Sequence, residues 1–193
     1  MGGVVVTWMN PQPALVAPGF NLHSLHQAWD TAARENSPFD GVLGFSQGAL
    51  TAAIFLAFLQ QQHRSPPPYL SSISATSLRR PLGHHRRARR PDAPPPRFAI
   101  LCGGFRRPWP AEAGGYWPPP QSSPLPTPSL HVIGERDTVV APCRSEELLA
   151  AFVGPSVHRH DLVGEPAAMG GHVVPWDEPF YVSVAALLAG AVT

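Results

Sequence analysis

Apolar and polar positions along this chain fall into short blocks whose spacing changes from one block to the next. Val4 to Trp8 is β-branched and apolar and predicts a short strand. Pro11, Pro13 and Pro18 then forbid regular structure. Leu22, Leu25, His26, Trp29 and Ala33 recur at helical spacing behind Asn21, a candidate N-cap, and Ser37-Pro38 ends that helix. Phe39 to Phe45 predicts a second strand. Gln47 to Gln62 predicts a helix that is apolar almost all round for three turns, so it should be buried. Arg97 to Cys102 and Leu130 to Ile133 are further strands. Pro142 to Phe152 is a helix with proline near its first position and two glutamates in its early turns, where the helix dipole favours them. Val157 to Val163 alternates as a strand does, Gly164 to Pro175 is loop, and Pro179 to Ala189 is a last helix. Strands alternating with helices predict an α/β fold, a parallel sheet with helices on both faces.

Two stretches break this pattern. Residues 64–96 hold proline and serine clusters and an arginine run with little to bury, and are expected to be a disordered insertion. Arg106 to Pro128 is a second proline-rich loop. The 25 prolines are about two and a half times the usual share of roughly 5%. A length of 193 residues suits a single domain, 1–193, with a real core. Net charge is +1, so no global field selects nucleic acid or a membrane. All fourteen basic residues are arginines, and six of them lie between Arg79 and Arg90. Arginine runs contact phosphates, but no aromatic side chains are interleaved here for stacking, so a solvated loop is expected and nucleic-acid binding is not. Cys102 and Cys143 form neither a disulfide framework nor a CxxC site, and His84-His85 lacks further ligand spacing, so no metal site is expected. The start of the chain has no signal-peptide pattern, and Ala49 to Leu59 is too short to span a membrane. A soluble protein of the cytoplasm or nucleus is the expectation.

The chemistry lies in Gly44-Phe45-Ser46-Gln47-Gly48, which matches G-x-S-x-G between an apolar strand and an apolar helix. A nucleophile on a sharp strand-to-helix turn sits in strained backbone, and its neighbours two positions away must be small for strand and helix to approach. The turn also sets helix N–H groups, that of Gln47 first, beside a developing oxyanion. Serine needs a base, and the base needs a group to orient it. An acid follows the strand at 130–133, where Glu135 and Asp137 compete. A histidine, His172, follows two glycines in the last loop, with His158 and His160 competing from within a strand. Ser46, Asp137 and His172 each follow a separate strand in the order serine, acid, histidine, and that conjunction is far more specific than any one of them.

PFDGVLGFSQGA (Pro38 to Ala49), FAILCGGF (Phe98 to Phe105), PSLHVIGERDTVV (Pro128 to Val140) and GGHVVP (Gly170 to Pro175) together resemble the FSH-type serine hydrolases. This is the α/β-hydrolase family of the ovarian-cancer-associated serine hydrolase and its fungal relatives. The resemblance implies an α/β-hydrolase sheet, with Ser46 as nucleophile, Asp137 as acid and His172 as base. It implies hydrolysis of carboxylic esters or thioesters of small molecules through an acyl-serine intermediate, without metal or organic cofactor. Phe45, Phe105, Trp109 and Trp176 are candidates to line an acyl pocket. The chain departs from the family pattern in the insertion at 64–96 and at its start, where the N-terminal strands and the loop carrying the second oxyanion donor are not recognised. Loss of one such donor typically costs about 10²–10³ in turnover. The alternative expectation is therefore an inactive or unstable hydrolase fragment in which Gln47 donates alone.

Overall fold

The apolar runs pair as parallel strands because a helix or a long connection carries the chain back across the sheet after each one. In the computed structural model, which describes residues 3–7, 20–35, 38–64, 94–106, 124–164 and 170–192, the elements run in the order β1 (Gly3–Thr7), α1 (Phe20–Arg34), β2 (Phe39–Phe45), α2 (Gln47–Arg64), β3 (Phe98–Cys102), β4 (Ser129–Gly134), α3 (Pro142–Leu149), β5 (Ser156–His160) and α4 (Glu178–Val192). The strands form one five-stranded sheet in the order β1-β2-β3-β4-β5, and every neighbouring pair is parallel. All five therefore end on the same edge, which is where an α/β sheet gathers its chemistry.

Strand alternation divides the core in two. Val42, Ala99 and Leu101 face a cluster built from α1, α2 and α3, with Trp29, Phe55 and Leu148 at its centre. Phe98, Ile100, Cys102, Leu130 and Val132 face the opposite way, against Phe180 and Leu187 of α4. Helices thus cover both faces, as the alternation of elements predicts. The α2 residues 52–57 are all buried, which accounts for a helix with almost no polar side in its first turns.

Element ends differ from the sequence expectations. Asn21 lies inside α1, which starts one residue earlier, so it is not the cap. Capping needs a specific backbone geometry that residue type does not dictate. Helix α2 continues to Arg64, taking the first residue of the expected insertion into regular structure. At the other end of that insertion, Pro96 is buried and Pro94 accepts a hydrogen bond from the Trp29 indole (2.9 Å), so these residues belong to the packed fold. Residues 65–93, with Arg79–Arg90 and His84-His85, lie outside the described residues. Helix α3 stops at Leu149, and its glutamates fall in the second turn, leaving the first without an acid. Within the expected loop 106–128, Leu125 is fully buried and bridges to Phe152. Strand β5 ends at His160. It alternates against hydropathy, with Val157 41% exposed while His158 and His160 are buried. No helix among the described residues is long and apolar enough to cross a membrane.

Candidate active site

Ser46 is the hinge between β2 and α2. Its φ is +56°, a left-handed conformation that costs a residue with a Cβ roughly 1–2 kcal/mol. Hydrogen bonds on both sides hold it there. Its N–H donates to the Cys102 carbonyl (2.8 Å), and its own carbonyl accepts from the N–H groups of Ala49 (3.0 Å) and Leu50 (3.3 Å). A Cβ on Gly44 would lie 2.5 Å from the Gly48 carbonyl oxygen and 2.6 Å from Ala49 Cα. The glycine two residues before the serine is thus a steric condition of the turn. Gly48 is buried, and Gln47 is exposed at the first position of α2, where its N–H has no acceptor within the helix.

Asp137 lies three residues beyond β4 and is 7% exposed. Both of its carboxylate oxygens are used. Oδ1 accepts from the N–H groups of Val139 (2.8 Å) and Val140 (2.7 Å). Oδ2 pairs with His172 Nδ1 at 2.7 Å. An ionised carboxylate only accepts, so in a neutral imidazole Nδ1 carries the proton and Nε2 keeps its lone pair. That is the tautomer a general base requires.

The loop bearing His172 reaches this position through its two glycines. Gly170 has φ +51° and bridges antiparallel to Asp137. Gly171 donates to the Arg136 carbonyl (2.8 Å), and a Cβ on it would lie 2.9 Å from Asp137 N. The imidazole is 4% exposed and packs against the Phe45 ring, 4.7 Å between centroids, directly beside Ser46. Asp137 and His172 are joined by a hydrogen bond. The imidazole touches the ring of Phe45, the residue before Ser46, and no hydrogen bond between the Ser46 hydroxyl and the imidazole is present among the described residues. Such contacts are often long before substrate binds.

The competing candidates separate cleanly. Glu135 is exposed and pairs with Arg159 (2.9 Å), which also holds Glu146. His158 pairs with the Ser183 hydroxyl (3.1 Å). His160 is buried, its Nδ1 has no hydrogen-bond partner among the described residues, and burial, followed by the neighbouring His158, lowers its pKa. Neither bonds Asp137. Cys102 is buried, which pushes its thiol up to about 12, too high for a nucleophile; Cys143 is exposed and free. Phe105 is half-buried with the Arg144 guanidinium 5.3 Å from its ring, Trp176 is 77% exposed, and Trp109 lies outside the described residues. Among the described residues no group of three His, Cys, Asp or Glu side chains is arranged to hold a metal ion.

Sequence reading missed two groups. One is the pair of N–H donors from Val139 and Val140, which carry no side-chain signature. The other is Gly103, just past β3, whose φ is +54° and whose Cα faces the imidazole. Its one visible signal is a Gly-Gly pair at the end of an apolar strand. Thr7, the last residue of β1, pairs with Gly44, so the chain leaves β1 beside the elbow. The next residues, 8–19, lie outside the described residues.

A profile of the serine hydrolase (FSH1) family matches residues 4–184. Esterase OVCA2 of Xenopus tropicalis is 35% identical over 149 residues, which are 76% of this chain and 47% of that protein. A dihydrofolate reductase of Schizosaccharomyces pombe is 33% identical over 142 residues, 74% of this chain but 23% of that protein. The chain thus spans half or less of the length of these relatives. A structure from a study of two esterases of Rhizomucor miehei superposes with a TM-score of 0.54 at 11% identity, covering 90% of this chain and 59% of that one, a likeness of fold alone.

Proposed function

The chain belongs to the serine hydrolase (FSH1) family, and from that premise we propose that it hydrolyses carboxylic esters or thioesters through an acyl-Ser46 intermediate. The observation that carries this reading is the buried 2.7 Å pair of Asp137 and His172 packed beside a serine held at positive φ. His172 Nε2 takes the Ser46 proton as the hydroxyl oxygen attacks the acyl carbonyl. Asp137 holds the imidazole in the required tautomer and stabilises the imidazolium. The Gln47 N–H, at the start of α2, donates to the oxyanion of the tetrahedral intermediate. The intermediate collapses, His172 returns the proton to the departing alcohol or thiol, and a water deprotonated by His172 then releases the acid. These steps call on no metal or organic cofactor. The free thiols fit a reducing compartment, cytoplasm or nucleus.

The test is labelling of the purified chain with a fluorophosphonate, wild type beside Ser46→Ala, with circular dichroism on both. Labelling of the wild type alone is expected. A folded wild type that takes no label overturns the esterase reading and favours the inactive relative in which a second oxyanion donor is lacking.

A further inference from the structure

The peptide between Cys102 and Gly103 joins three parts of the site. Its carbonyl accepts the Ser46 N–H (2.8 Å), and its N–H donates to the Val132 carbonyl of β4 (2.9 Å). The next atom, Gly103 Cα, faces the edge of the imidazole. A Cβ there would lie 3.0 Å from His172 Cε1, 3.1 Å from Nδ1 and 3.6 Å from Asp137 Oδ2. We infer that Gly103 is a positioning residue for His172: its bare Cα leaves the space in which the imidazole edge seats on Asp137.

This inference rests on the acyl-transfer reading, and three observations drive it. The turn cannot retreat from the ring. Gly104, the next residue, is closed in by Leu148 and Ala49, which a Cβ would meet at 2.8 and 3.0 Å, and its carbonyl is tied to the buried Ser145 hydroxyl (2.7 Å). Asp137 cannot follow the ring, because two N–H groups hold its Oδ1. The atoms a Cβ would press, Cε1 and Nδ1, flank the bond to Asp137. A side chain at 103 therefore displaces the imidazole by a few tenths of an ångström at the expense of the Nδ1–Oδ2 contact. A weaker contact stabilises imidazolium less, so the base loses strength while groups that bind substrate are untouched.

Gly154 supplies the control. Its φ is +57°, close to that of Gly103, but nothing lies within 4 Å of a Cβ built on it. Gly103→Ala and Gly154→Ala thus carry similar backbone strain, and only the first adds a collision. The readouts are the downfield proton resonance of His172 Nδ1–H, kcat and KM on a p-nitrophenyl ester, and the pH profile of kcat/KM. Gly103→Ala is expected to shift or lose the resonance, to lower kcat about ten- to a hundred-fold with KM nearly constant, and to move the acid limb to lower pH. Gly154→Ala is expected to keep all three. Retention of the resonance and kcat in Gly103→Ala, or equal losses in both variants, overturns the inference. A wild type that shows the resonance but hydrolyses no ester defeats the esterase reading alone, and the resonance in Gly103→Ala still decides the positioning role. If Gly103→Ala does not fold, the same substitution is made in a His172→Ala background. Recovery of the thermal midpoint there supports the collision, and an unchanged loss overturns it.

Discussion

Asp137 carries three hydrogen bonds on two oxygens, and each oxygen has a separate task. Oδ1 anchors the acid to the backbone of its own loop, and Oδ2 sets the tautomer of His172. Asp137→Asn separates the two. The amide oxygen can keep both backbone N–H groups, which leaves the NH₂ facing Nδ1 and forces that nitrogen to accept. The proton then moves to Nε2, and the proposed base is lost without loss of shape. Ester hydrolysis by this variant is expected to fall by about 10⁴ in kcat, with a circular dichroism spectrum like that of the wild type. A variant retaining more than a tenth of the activity would refute Asp137 as the orienting acid. Asp137 and His172 could be singled out as candidates in the sequence, because residue type and order after strands mark them. The bonds to Val139 and Val140 were not legible, since any residue supplies a backbone N–H.

Helix α2 positions the serine, and it does so by being buried. It packs chiefly on β2 and β3 beneath α1, and Phe55 at its middle is fully enclosed, edge-on to the Trp29 ring at 5.8 Å. Truncation of Phe55 to Ala removes the transfer free energy of the ring and leaves a cavity, a loss of about 3–5 kcal/mol. Denaturant titration of the variant should show the midpoint fall with the slope unchanged. The type and place of this helix were plain from its apolar run alone. Its last two residues were not, because a helix end depends on how the next segment of chain packs. Strand β5 is the converse case. Its alternation was visible, but His158 and His160 rather than Val157 face inward, because the strand's register against β4 and the contacts with Phe180 and Ser183 of α4 decide which side is core.

Across the whole molecule, buried histidines tie stability to pH. His131, in the centre of β4, bonds the Ser129 hydroxyl (3.2 Å) and lies edge-on to Phe152. Burial lowers its pKa from 6.5 to about 4. Between those values the unfolded chain binds the proton and the folded chain does not, so stability rises with pH through that window. It is complete above about pH 6.5 and is lost as pH falls toward 4, by on the order of 3 kcal/mol from this group. His160, lowered in the same direction, adds to the same slope. Urea unfolding from pH 7 to 4.5 should trace this loss, and His131→Gln, which can still bond Ser129, should flatten it. An equal slope in the variant would remove His131 as its source.

Local sequence was enough for the kinds of elements, their order and the choice of Ser46, Asp137 and His172 as candidates. Period, turn chemistry and residue type are all read within a few positions. Packing between distant parts of the chain settled the rest. It set Asp137 against His172 and Glu135 against Arg159, because the loop after β4 points the first inward and leaves the second at the surface. It set His172, and neither His158 nor His160, on Asp137, because Gly170 and Gly171 let one loop lie directly on another. It also gave Gly103 its place against the imidazole. Each of these is a distance between residues more than twenty positions apart, and such distances exist only once the sheet has brought the strand ends to one edge.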